Sequence, residues 1–133
     1  MYDHQTLAKR LQGLRLLIIE DEPMLALCVA DVVESAGCIV AGVAGTVVEA
    51  LAKVASCPFD VALLDLHLHG RTVELIAAAI KASGKVAVVS TGADALSLPA
   101  EIRLWPVLHK PYKNDELIDA LGRAASMSNM ERQ

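Results

Sequence analysis

The sequence predicts an α/β fold built on an open parallel sheet, and three observations carry that prediction. Short apolar runs of strand length alternate with stretches of helical periodicity, five times over. Those runs are nearly continuous rather than polar at every second residue, as in strands covered on both faces. Hydrophobic residues make up 54% of the chain but aromatic ones only 3%, so the core must be aliphatic. A length of 133 residues fits one domain.

Taken in order, Leu14–Ile19 is the first expected strand, lying between Gly13 and the acidic run Glu20-Asp21-Glu22. Pro23 suits a first helical turn. Leu25, Val29, Val32, Val33 and Ala36 then recur at helical spacing, and Gly37 ends that helix. Cys38–Ala44 is the second strand. Thr46 caps a second helix, with Glu49 as its capping-box partner. This helix carries Val47, Ala50, Leu51 and Val54 and stops before Pro58. Val61–Leu64 is the third strand, ending on Asp65, and a loop rich in His and Gly follows. Val73–Ala82 is a third helix, closed by Gly84. Lys85–Val89 is the fourth strand and runs into Ser90-Thr91-Gly92. A short helix is expected around Ala93–Leu96, interrupted by Pro99. Trp105–Leu108 is the fifth strand, and Pro106 favours an edge position. Asn114 or Asp115 opens the last helix, with Leu117, Ile118 and Leu121 on it. The expected organisation is an N-terminal extension over 1–13, one domain over 14–125 and a flexible polar tail over 126–133.

Several function classes are disfavoured. The net charge of −4, from 12 basic and 16 acidic side chains, lacks the footprint of a nucleic-acid binder. Cys28, Cys38 and Cys57 show neither CxxC nor zinc-ligand spacing and read as thiols in a reducing compartment. The polar N-terminus has no apolar signal-peptide core. No apolar run approaches the ~20 residues of a membrane span. A soluble, cytoplasmic protein is expected. Neither GxGxxG nor a Walker A pattern occurs, which disfavours nucleotide binding.

In an open parallel sheet, ligands sit at the carboxyl ends of the strands. Strand one ends there in Glu20, Asp21 and Glu22, strand three in Asp65, strand four in Ser90 and Thr91, strand five in His109 and Lys110. Carboxylates brought together repel, and one takes up a proton unless a cation intervenes. Mg²⁺ prefers such oxygen ligands and commonly bridges carboxylate to phosphate. A carboxylate held there can attack phosphorus and form an acyl phosphate. Mg²⁺ and a Lys would neutralise the phosphoryl oxygens, while a Thr hydroxyl hydrogen-bonds one of them. Asp65 could alternatively be a helix cap, Glu20-Asp21-Glu22 a solvated first turn, Thr91 a turn residue and Lys110 an ordinary surface Lys. His67 and His69 have the spacing for a transition metal but read better as exposed loop histidines.

The segments LLIIEDEP, VALLDLHLHG, VAVVSTGA and VLHKPY, in this order, resemble the response-regulator receiver family over about residues 14–125. The resemblance implies a CheY-like, flavodoxin-like doubly wound sheet of five parallel strands in the order 2-1-3-4-5, with helices on both faces and a short or irregular fourth helix. It implies that Asp65 is the phosphoacceptor and Asp21 a direct Mg²⁺ ligand. Glu20 would hold the ion partly through water, and the backbone carbonyl of His67 would be the third protein ligand. Thr91 is then the switch hydroxyl, Lys110 the phosphate partner, and Pro111 follows a cis peptide bond. Two departures stand out. The loop reads Leu66-His67-Leu68-His69-Gly70 where a Met-Pro pair is usual, and Val107 takes the place of an aromatic that usually couples to the Thr, with Trp105 two residues earlier.

The function implied is that of a single-domain response regulator, a phosphoacceptor rather than a turnover enzyme. A histidine kinase or histidine phosphotransfer protein would donate the phosphoryl group to Asp65, and readout would go through contacts with a downstream protein. A homodimer is compatible with this. The alternatives are a receiver-like binding module independent of phosphorylation, a phosphate sink or relay intermediate, and a phosphatase-type enzyme. The last is disfavoured because His67 stands where a general-acid Asp is common.

Overall fold

The computed structural model describes residues 11–68, 73–92, 102 and 104–132, with side chains as far as Ser128. Five strands are β1 (Arg15–Ile19), β2 (Ile39–Ala44), β3 (Val61–Asp65), β4 (Val86–Thr91) and β5 (Val107–His109). The helices bounded within the described residues are α1 (Pro23–Ser35), α2 (Val47–Ser56), α3 (Glu74–Ala82) and α4 (Asn114–Arg132). The strands form one sheet in the order β2-β1-β3-β4-β5. Every pairing is parallel. β1, β3 and β4 are sealed between helices, and every residue of β3 and β4 is buried. Their unbroken apolar sequences follow from that burial. The core is aliphatic, with Phe59 and Trp105 its buried aromatics.

Local signals fix the helix ends. In α1, Pro23 occupies the first turn. Gly37, at φ +98°, closes the helix: its N–H donates to the Glu34 carbonyl (3.0 Å) and the Cys38 N–H to that of Val33 (2.9 Å). This left-handed closing turn satisfies carbonyls that a helix end leaves open. Gly84 (φ +72°) does the same after α3, where Lys85 N–H reaches Ile80 O at 3.1 Å. At α2 the Thr46 hydroxyl accepts from the Glu49 N–H (3.1 Å), while Glu49 Oε1 accepts from the Gly45 N–H (3.0 Å). Substituting Gly37→Ala is expected to cost about 1–2 kcal/mol, the strain of a Cβ in the left-handed region. The new methyl would also meet the Gln12 carboxamide, but that flexible end can swing aside. A lower urea midpoint at unchanged slope checks this; an unchanged midpoint contradicts it.

The edges differ from the centre. β2 carries a bulge: Leu16 pairs with Val40 and Leu17 with Gly42, so Ala41 is left over. Its carbonyl accepts instead from the Cys57 thiol at 3.1 Å. A bulge on an edge strand discourages pairing with other chains. β5 occupies the opposite edge, as Pro106 leads one to expect, but it starts at Val107 rather than Trp105. The Trp105 N–H is spent on a turn to the Ile102 carbonyl (3.1 Å), so residue 105 is not available to the ladder.

Two boundaries of the expected organisation need correction. The segment from 126 is not a loose tail in secondary structure: α4 continues through Arg132. Ala124, Ala125 and Ser128 are buried on it, so small and polar residues there face inwards. At the other end, Leu11 is fully buried in the core, so the core begins before residue 14. The short helix expected around Ala93–Leu96 lies outside the described residues, as do Pro99, His69 and Gly70. Among the described residues, no helix is long and apolar enough to cross a membrane.

Candidate functional site

Because all five strands run the same way, their carboxyl ends meet at one edge of the sheet. Glu20 and Asp21 follow β1, Asp65 closes β3, Thr91 closes β4 and Lys110 follows β5. Backbone bonds lock these ends together. Glu20 N–H donates to Ala44 O (2.9 Å), Leu66 N–H to Ser90 O (3.0 Å) and Lys110 N–H to Thr91 O (2.8 Å). Asp65 is level with Ser90, so Thr91 stands one residue further towards the mouth. The Lys110–Pro111 bond is cis, as the resemblance implied.

The side chains converge. One carboxylate oxygen from each of Glu20, Asp21 and Asp65 lies within 4.8 Å of the others. Glu20 and Asp65 are buried, at 6% and 2% exposure, where bare charges are costly. Lys110 Nζ answers both, 3.2 Å from Glu20 Oε1 and 3.4 Å from Asp65 Oδ2. The Glu22 N–H donates to Glu20 Oε2 at 3.2 Å, and the His67 N–H to Asp65 Oδ1 at 3.1 Å. The backbone of His67 thus lies directly against the Asp65 carboxylate, while its side chain is exposed. Thr91 is fully buried.

The pocket is strained electrostatically. Burial first, and the Asp65 charge second, push the Glu20 carboxyl up to about 7, against the pull of the Glu22 N–H and of Lys110. Burial works against the Lys110 ammonium as well, but Asp65 and Glu20 outweigh it and its pKa stands above the ordinary value. Lys110 pairs with Glu20 and Asp65, and the carboxylate of Asp21 lies close to both of theirs. The donors are all oxygen, clustered and largely withdrawn from water, which suits a hard divalent cation such as Mg²⁺.

The residues expected from sequence at this site are all brought to it: Glu20, Asp21, Asp65, the His67 backbone, Thr91 and Lys110. Ser90 is buried in β4, as a structural residue should be. The register also clarifies the missing aromatic. Val89 pairs with Val107 and Thr91 with His109, so Val107 lies on the same sheet face as Thr91, diagonally adjacent. Trp105 is buried before the strand begins and does not stand in that place. One neighbour escaped the sequence reading. Tyr112 is half-buried, and its phenol is raised by burial first and then by the charge of Glu20, with Asp65 adding and Lys110 opposing. The KPY triplet was the only hint of it.

Residues 16–122 match the model of the response regulator receiver domain, and the chain belongs to that family. It is similar to SdrG from Sphingomonas melonis Fr1, with 34% identity and a TM-score of 0.74 over 86% of this chain and 97% of that one. It is also similar to a CheY-like receiver domain protein from Methanospirillum hungatei JF-1, with 26% identity, a TM-score of 0.77, and coverage of 90% and 99%. The response regulator PhyR from Brucella abortus shares 25% identity and a TM-score of 0.79 over 97% of this chain, which spans 56% of the PhyR chain. No curated protein matches.

Proposed function

We propose that this chain is a phosphoacceptor of a two-component phosphorelay, taking a phosphoryl group on Asp65 from a phosphorylated histidine of a kinase or phosphotransfer protein. The observation that carries the reading is the convergence of three carboxylates with Lys110, which bridges Glu20 and Asp65. In the transfer, an Asp65 oxygen attacks phosphorus in line, the P–N bond of the donor breaks, and the imidazole leaves with the bond's electrons. Asp65 becomes an acyl phosphate. Glu20, Asp21, Asp65 and the His67 carbonyl would hold Mg²⁺, which supplies charge neutralisation at the phosphoryl oxygens. Lys110 would move from its two carboxylates towards a phosphoryl oxygen, and the Thr91 hydroxyl would donate to another. The His67 N–H already holds Asp65 Oδ1, which orients the carboxylate and leaves Oδ2 beside Lys110.

The loaded domain would then act by protein–protein contact. The usual route couples the Thr hydroxyl to an aromatic on β5, and Val107 cannot supply that coupling. This observation favours, as a second reading, a module whose partner affinity does not depend on phosphorylation. Incubation with a phosphohistidine donor separates the two. Mg²⁺-dependent transfer that changes affinity for a partner supports the switch; unchanged affinity in the loaded protein supports the second reading. Absence of transfer to the wild-type protein contradicts phosphoacceptance itself.

The raised Glu20 carboxyl gives the metal a pH dependence. In the metal-free protein this group takes up a proton as pH falls through about 7. A cation must displace that proton, so Mg²⁺ affinity is expected to fall about tenfold per pH unit below 7. Mg²⁺ titrations followed by thermal shift at pH 8, 7 and 6 measure this. Affinity that is flat across the range contradicts the assignment of Glu20 to the cation site.

A further inference from the structure

Asp65 is followed by a turn over Leu66, His67 and Leu68 that contains no proline to set its backbone. The three residues differ sharply in burial. His67 is exposed, Leu66 is half-buried against the core, and Leu68 is fully buried within it. An exposed side chain has no packing with which to hold its own backbone. Yet the His67 backbone is held closely, its N–H donating to Asp65 Oδ1 at 3.1 Å. The two neighbours set its place. A peptide unit is planar and joins the Cα atoms of successive residues, so each neighbour anchors one of the two units that flank His67. The unit carrying the His67 N–H begins at Leu66, whose own N–H donates to the Ser90 carbonyl at 3.0 Å. The unit carrying the His67 carbonyl ends at the Cα of Leu68, which is secured by its side chain in the core.

We propose that Leu68 is a positioning residue for the cation site: its burial fixes the peptide unit that carries the His67 carbonyl and so preorganises that ligand. The inference rests on the reading of this pocket as a Mg²⁺-dependent phosphoacceptor site. Mg²⁺ demands near-ideal octahedral geometry, so a displaced ligand weakens it more than it would a larger, more adaptable cation. With the Leu68 side chain cut back, the His67–Leu68 unit can turn away from the pocket. Cation binding must then order the turn as well, and affinity falls. The His67 N–H belongs to the same turn, so its bond to Asp65 Oδ1 loosens together with the carbonyl.

The test measures Mg²⁺ affinity by calorimetry in wild type, Leu68→Ala and Leu68→Met. Ile80→Ala serves as the control for lost core packing, because it removes an equally buried side chain from the last turn of α3. Leu68→Ala is expected to bind Mg²⁺ about tenfold more weakly, the size of effect seen when a group supporting a metal ligand is removed. Leu68→Met, which restores the lost volume, should bind within about twofold of wild type. Ile80→Ala should keep wild-type affinity. In EDTA the His67 amide should exchange with solvent faster in Leu68→Ala than in Ile80→Ala. Should Leu68→Ala fail to fold, Leu68→Val makes the same comparison with a smaller cut and a smaller loss. Wild-type affinity in the folded Ala or Val variant, or equal loss in Leu68→Ala and Ile80→Ala, overturns the proposal and leaves the phosphoacceptor reading intact. A wild-type protein that binds no Mg²⁺ overturns both.

Discussion

Substituting Lys110→Ala is expected to slow phosphoryl transfer to Asp65 by about 10²–10³-fold, the loss seen when one preorganised charge-stabilising donor is removed. Its ammonium faces both buried carboxylates, and among the described residues no other Lys or Arg forms an ion pair with them. Charge alone is not the whole requirement. Lys110 presents a compact point charge between Glu20 and Asp65, whereas Arg carries a planar fork that does not fit that space equally. Lys110→Arg should therefore recover only part of the rate. Single-turnover transfer from a phosphohistidine donor, with donor in excess, measures both variants. Transfer by the Ala variant within a fewfold of wild type would remove Lys110 from the mechanism.

Asp65→Asn should lose the phosphoryl acceptor and, in the same substitution, make the metal-free protein more stable at pH 8. The sign follows from Glu20. Its carboxyl stands at about 7 when folded against 4.5 unperturbed, so the stability tied to this group is full below pH 4.5 and is lost as pH rises through 7. The Asp65 charge is the second cause of that rise, and Asn removes it. Lys110 keeps its bond to Glu20 at 3.2 Å, so the ammonium is not left without a partner. The expected gain is roughly 1–2 kcal/mol at pH 8 in EDTA, shrinking towards pH 5 as Glu20 takes up its proton. Urea unfolding at the two pH values checks this. An Asn variant less stable than wild type at pH 8 would contradict the account of carboxylate crowding. Sites that hold like charges together for function commonly store instability of this kind.

Much of the fold was legible because local and global signals agree. Thr46 with Glu49, Pro23 in the first turn of α1, and Gly37 and Gly84 past their helices each have one physical meaning, and each takes that place. The apolar runs of β3 and β4 were readable because burial on both faces leaves no polar position. Where the reading failed, polarity had been equated with exposure. Ser128 and its neighbours Ala124 and Ala125 are small enough to be buried in α4, so a polar composition there did not mean a loose end. Trp105 has the look of a strand residue, but a backbone turn to Ile102 takes its N–H. The bulge at Ala41, whose carbonyl accepts from a thiol 16 positions away, has no local signature.

The site divides in the same way. Parallel order alone predicts that Glu20, Asp21, Asp65, Thr91 and Lys110 share an edge. It does not predict that Lys110 bridges two of the carboxylates, that Glu20 is driven up to about 7, or that Tyr112 turns inwards, because these depend on side-chain packing across 90 positions of sequence.

The most direct test of phosphoacceptance at Asp65 is to locate the phosphoryl group. The protein is treated with acetyl phosphate in Mg²⁺, the acyl phosphate is trapped by borohydride reduction, and the modified peptide is sequenced by mass spectrometry. The account predicts a single modification, at Asp65, that is abolished by EDTA and by Asp65→Asn. Modification at another carboxylate, or equal modification of the Asn variant, would contradict it.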